Sequence, residues 1–213
     1  MVDEALSLLT NLGEFTLNSF ISDGIIKDLP IIGPTFDIIK ISKNINDMIF
    51  ISKLKLFIEN VDKNEKWKEK FSNKSECEKI SKKILYIINS SDDEDKLKLI
   101  GFSFNMFVNG KINKDDYFFI VNMINQSFYP YLKLLLKIDI NQFTNNGEIF
   151  NMYAINHLLS IGALDQYTHT FGGYDESKTY IPSYKIVCIN YFGKFIRNIL
   201  KQMNTKNKNK TSA

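Results

Sequence analysis

Apolar residues return every third or fourth position along most of the 213-residue chain, a spacing that fits helices and leaves room for little else. Ala5, Leu6, Leu8, Leu9, Leu12, Phe15 and Phe20 follow it over residues 3–22, until Asp23-Gly24 stops the run. Pro34 opens a second helix, because its missing N–H would go unpaired in a first turn anyway. Ile38, Ile41, Ile45, Met48, Ile49, Leu56 and Phe57 then form a wide apolar face as far as Val61. A charged stretch around Trp67 and Phe71 follows at 62–74. Ser75 with Glu78 and Ser91 with Glu94 have the spacing of capping boxes, which predicts helices over 76–90 and from there to Asn109. Gly110 ends the second of these. Asn113 caps a helix over 114–128, and Pro130 starts a short one through Lys137.

After Gly147 the pattern changes. Residues 148–161 read as helix and are followed by Gly162. A polar, aromatic stretch at 166–183 holds a turn at Gly172-Gly173, and 184–189 is short and β-rich. A last amphipathic helix over 190–203 carries Phe192, Phe195, Ile196, Ile199 and Leu200 on one side. Helix, glycine, two strands and helix is the order of a winged-helix unit. The expected fold is therefore mainly α: a helical bundle at 1–146, a small winged-helix-like α+β module at 147–203, and a disordered basic tail at 204–213. No internal repeat is evident.

Composition narrows the class. With 44% hydrophobic and 13% aromatic residues the chain can bury a sizeable core. A net charge of +3 is too small to announce a nucleic-acid binder by itself. Cys77 and Cys188 are far apart and read as free thiols, since a secreted chain of this kind would carry a fuller disulfide framework. Met1-Val2-Asp3-Glu4 is acidic where a signal peptide starts positive. No stretch has the roughly 20 predominantly apolar residues that a span requires. These readings place the chain in the cytoplasm, with peripheral attachment at the inner membrane face as a variant.

Residues 105–116 invite comparison with a calcium loop, because Gly110, Ile112 and Asp116 stand at the right offsets. Yet Asn105, Phe107 and Asn109 occupy positions where charged oxygen ligands are needed. A helix corner with Ile112 plugged into the core explains the pattern better. Asp92-Asp93-Glu94-Asp95 reads as a helix start favoured by the dipole, with no histidine near at ligand spacing. His157 sits among Leu158, Leu159 and Ile161 on a helix, and His169 lies in the proposed wing. No nucleophile elbow, zinc-protease helix, phosphate loop or dinucleotide fingerprint is present. The sequence thus nominates no catalytic residue, no metal ligand and no cofactor.

Two surfaces remain. The connector at 24–41 packs Ile25, Ile26, Leu29, Ile31, Ile32 and Phe36 around Pro30 and Pro34. Core packing explains it, and so does docking on a protein partner or a membrane surface. The alternative is nucleic-acid binding by the C-terminal module. Lys185, Lys194, Arg197 and Lys201 would flank phosphates there, and Tyr167, Phe171, Tyr174 and Tyr180 would stack. Against it, the segment 148–161 that would act as recognition helix holds neither lysine nor arginine. The lysines of 53–83 are interleaved with Glu59, Asp62, Glu65, Glu69, Glu76 and Glu78, as in a solvated face. The expected function is that of a non-enzymatic interaction protein docking on a protein partner or on the inner membrane surface. Oligomeric state is open.

The run Asp28-Leu29-Pro30-Ile31-Ile32-Gly33, then residues 45–54 with Leu56-Phe57, resembles a family of small bacterial and prophage proteins of uncharacterised function. Residues 95–116, with Leu99, Ile100, Phe104, Gly110, Lys111, Ile112 and then Tyr117, are similar to the same family and to the helical core of tellurite-resistance-type (TerB-like) domains. Leu159, Gly162, Ala163 and Leu164, then 184–199, resemble its winged-helix-like end. TerB-like domains are associated with acidic metal sites, and the acidic positions are not evident in this chain. The resemblance implies a setting in bacterial stress or in phage defence and counter-defence.

Overall fold

A computed structural model describes residues 45–62, 66, 70–138, 152–169, 173–174, 180–181 and 184–211. It is mainly helical, with seven α-helices among the described residues and a small antiparallel sheet near the C-terminus. None of these helices is long and apolar enough to cross a membrane. The chain divides into two compact units, Met1–Asn113 and Lys114–Ala213. The boundary expected near 146 falls outside the described residues, and the helices between 114 and 138 group with the sheet.

In the first unit, α1 (Ile45–Glu59), α2 (Lys74–Ser90) and α3 (Glu94–Val108) surround an aromatic core. Phe57 of α1 lies 5.7 Å from Phe104 of α3, and Phe71 stacks on Phe104 and meets Phe107 edge-on. Burying rings of this size contributes about 2–3 kcal/mol each. α1 and α3 approach closely because Gly101 has no side chain. A Cβ there would stand 3.0 Å from the Asn60 Cβ and 3.0 Å from the Phe57 carbonyl oxygen. One turn on, Asn105 stitches the same crossing. Its Nδ2 donates to the Asn60 carbonyl, and its Oδ1 accepts from the Asp62 N–H.

Both expected capping boxes are replaced by shorter caps nearby. Asn73, not Ser75, caps α2, accepting from the Glu76 N–H, while Glu78 instead pairs with Lys82 one turn along. Asp93, not Ser91, caps α3 and accepts from the N–H groups of Asp95 and Lys96. A carboxylate there satisfies two orphan donors and meets the helix dipole as well, which a serine hydroxyl cannot do. Ser91 ends α2 and is fully buried.

Lys96 is the buried cation of this corner. Its side chain is 4% exposed, and its Nζ reaches Asp92 Oδ1 at 2.6 Å, although Asp92 itself is 76% exposed. The hydrogen bond from Lys96 holds the Asp92 carboxyl below the usual carboxylate range. A depressed carboxyl stabilises above its unfolded pKa, and that contribution is lost as pH falls through the folded value. Screening keeps the pair at about half a kcal/mol. We therefore expect Lys96→Met, which keeps the buried stem, to change stability by less than about 1 kcal/mol. It should also remove this corner's share of acid sensitivity, read as urea midpoints near neutral pH and in the acid range.

The second unit begins with α4 (Lys114–Gln126), whose Asp115 and Asp116 favour its first turn. α5 (Tyr129–Leu132) follows with Pro130 in its first turn and continues as a 3-10 turn, Lys133–Leu136. Then come α6 (Met152–Ser160), the strands β1 (Leu164–His169), β2 (Gly173–Tyr174), β3 (Tyr180–Ile181) and β4 (Tyr184–Ile189), and α7 (Tyr191–Thr211). β1 pairs antiparallel with β4 from Leu164↔Ile189 to His169↔Tyr184, and β2 pairs antiparallel with β3 in a second two-stranded sheet. α6 packs on β1, and α7 packs on β4 and the 3-10 turn. α7 runs to Thr211, so residues 204–211, expected as a disordered tail, are helical. Nothing in 204–211 breaks a helix, and its lysines suit the negative end of the dipole.

Candidate interaction surface of the C-terminal unit

The sequence pairs two corners of this unit, and the pairing holds its surfaces in place. α6 ends where Gly162 turns to φ +80, a conformation that favours glycine, and Ala163 N–H bonds back to the Leu158 carbonyl. Asn190 stands just before α7 and caps it, its Oδ1 accepting from the Gly193 N–H at 2.9 Å. The Asn190 Nδ2 donates to the Gly162 carbonyl at 2.8 Å and to Asp165 Oδ1 at 3.2 Å. The start of α7 thus presses on the α6–β1 turn, and Gly193 is the residue that lets it.

Aromatic side chains face outward from this frame. Among the described residues, seven large hydrophobic side chains are exposed, and five of them, Phe119, Phe128, Tyr153, Tyr167 and Tyr191, belong to the C-terminal unit. On α6, Tyr153 is 80% exposed, with Asn156, His157 and Ser160 on the same side. His157 Nε2 accepts from the Phe128 N–H at 3.0 Å, so that nitrogen carries no proton in this arrangement. The His157 ring meets Tyr131 edge-on at 5.5 Å, and Tyr131 meets Phe128 at 5.1 Å. Phe128, 57% exposed, is therefore held at the surface by its backbone N–H on His157 and by the Tyr131 ring. A second group joins Phe119, Phe192 and Tyr191, with centroids at 4.6 and 5.2 Å.

A smaller polar group sits on the β1–β4 pair. Asp165 faces Cys188 across the sheet, with Tyr167 two residues on. The charge of Asp165, and Cys188 beside it, hold the exposed Tyr167 hydroxyl above the usual phenol range. Neither Cys188, half-buried, nor Cys77, buried, is in a disulfide. Burial raises the Cys77 thiol against the smaller opposing effect of the Ser81 hydroxyl, which keeps it unreactive. No cluster of three or more histidine, cysteine or acidic side chains that could hold a metal occurs among the described residues. Asn105, the first position of the calcium-like spacing, is occupied with α1.

The sites nominated from sequence fare differently. Ile25, Ile26, Leu29, Ile31, Ile32 and Phe36 lie outside the described residues. Lys194, Arg197 and Lys201 share α7, and Lys185 stands on β4 opposite Thr168. Lys194 and Lys201 are exposed. Arg197 turns inward: its Nη1 donates to the Ile138 carbonyl at 3.2 Å, and its buried Nε has no hydrogen-bond partner among the described residues. Phe128, Tyr131 and Tyr153 were not nominated. The signal for Tyr153 is its place one turn before His157, away from the apolar stripe of Ala154, Ile155 and Leu158. Phe128 gives none, because an aromatic residue before a proline helix start reads equally as core.

Comparison with family models, with curated proteins and with solved structures finds no match.

Proposed function

We propose that this chain is a non-enzymatic interaction protein whose C-terminal unit docks on a protein partner through Phe128, Tyr131, Tyr153 and His157. The exposed Phe128 before α5 and Tyr153 on α6, with half-buried Tyr131 and His157 beside them, are the observation that carries this reading. Aromatic rings held in fixed orientation lose little entropy on binding and dominate interface hot spots. The order α6, Gly162, antiparallel strands, α7 supports a winged-helix-like unit, in which α6 takes the place of a recognition helix. Its outer face offers tyrosine, asparagine, histidine and serine, which suit a protein surface better than a phosphate backbone. The resemblance to bacterial and prophage proteins favours a partner from bacterial stress or phage conflict.

The test is a photo-crosslinking residue at position 153 in the host cell, with Tyr86 of α2, also exposed, as the control position. The expected result is a discrete protease-sensitive adduct from position 153, absent from position 86 and lost in Phe128→Ala. With the partner in hand, Tyr153→Ala should weaken binding by about tenfold or more and leave stability within about 0.5 kcal/mol. A nuclease-sensitive adduct, or the same adducts from both positions, removes the proposal.

A further inference from the structure

The chain's positive charge is not spread over it. From Tyr191 to the C-terminus there are six of the 27 basic residues and none of the 24 acidic ones. The preceding 190 residues hold 21 basic against 24 acidic, so everything before α7 is net negative. The excess thus belongs to one helix of 21 residues, about 31 Å long.

That helix has two distinct sides. Ile196, Ile199, Leu200 and Met203 are buried. Tyr191, Lys194, Asn198, Lys201 and Thr205 are exposed, and their offsets of three and four residues line them along one side. Lysines seven residues apart stand about 10.5 Å apart along the axis. Lys208 falls at the next repeat of the same sequence spacing. Arg197 stands apart from this stripe through its bond to Ile138.

We propose that this stripe is a binding site for single-stranded nucleic acid, with Lys194 and Lys201 on phosphates and a base stacked on Tyr191. A row of lysines and neutral donors free of acids attracts a polyanion. A bilayer is a poor match, because the apolar side that would insert is buried and the exposed side has no aliphatic residue. Tyr191, 60% exposed, stands one turn before Lys194 and is braced edge-on by Phe192 at 5.2 Å, which offers a preset stacking face beside the first cation. This site goes beyond the docking of a protein on α5 and α6 and does not depend on it.

The experiment is fluorescence anisotropy of the full chain with a labelled oligothymidylate of about 20 nucleotides, beside a duplex of equal length and phosphatidylserine-rich vesicles. Binding to the single strand is expected to weaken by about sevenfold between about 50 and 200 mM salt, as for two phosphate contacts. The double variant Lys194→Glu, Lys201→Glu should lose at least about tenfold in affinity, and Tyr191→Ala about fivefold or more. Both should keep the parent's melting temperature, because all three side chains are exposed. Lys111→Glu, an exposed lysine of the first unit, should leave binding unchanged. Any of these overturns the proposal: no binding at the lower salt, full binding by the double or the tyrosine variant, or a preference for duplex or vesicles.

Discussion

Gly193→Ala is expected to destabilise the C-terminal unit by about 3 kcal/mol or more, because the overpacking cannot be relieved locally. An added Cβ would stand 2.0 Å from the Ala163 carbonyl oxygen and 2.8 Å from Ile189 Cγ1. Neither neighbour can yield cheaply. The Ala163 carbonyl accepts from the Asn190 N–H, and its amide is tied to Leu158. Ile189 is buried at the end of β4. Helix propensity alone gives the opposite sign, since alanine in place of glycine inside a helix is worth about 1 kcal/mol. The variant therefore separates the two effects. Gly162→Ala and Gly110→Ala meet no such wall, with a ring at 3.7 Å in one case and nothing within 4 Å in the other. Their cost is that of placing alanine at φ +80 and +72, about 1–2 kcal/mol each. Urea unfolding followed by circular dichroism ranks the three. A Gly193→Ala midpoint equal to the parent's would mean that α7 does not press on the α6–β1 turn as described.

Helices were legible in this sequence wherever apolar period and a stop residue coincide. Gly110 and Gly162 both take positive φ and both close helices where their position predicts it. Cap identity was less legible, because Asn73 and Ser75, and again Ser91 and Asp93, are competent caps two residues apart, and only packing selects within each pair. The end of α7 was missed because 204–211 has no apolar residue to carry the period, although nothing there forbids a helix. The α7 stripe was half visible: Lys194 and Lys201 were nominated, but with Arg197, whose single difference is that a backbone carbonyl from 59 residues earlier reaches it. The cluster around Phe128 was not visible at all, since it forms by a side chain on α6 accepting from a backbone amide 29 residues away. Sequence spacing reports neighbours on one helix and says nothing of partners between elements.

Asn105→Ala is expected to cost the first unit about 2–4 kcal/mol, the second large effect. The side chain is 7% exposed overall and makes both of its hydrogen bonds to the end of α1, at 2.9 Å to the Asn60 carbonyl and 2.8 Å from the Asp62 N–H. Truncation leaves a carbonyl and an amide without this partner where Gly101 already brings the two helices to contact. Asn105→Asp is the sharper variant. It keeps an acceptor for the Asp62 N–H but turns a carboxylate oxygen on the Asn60 carbonyl, so it should be no more stable than the alanine variant. It also supplies the acidic first position that the calcium-like spacing lacks. If that spacing were a latent ion site, calcium would restore the aspartate variant's melting temperature. With the side chain facing α1, calcium should leave it unchanged. Restoration by calcium, or an alanine variant within about 1 kcal/mol of the parent, would show that Asn105 serves the loop after α3 and not the crossing.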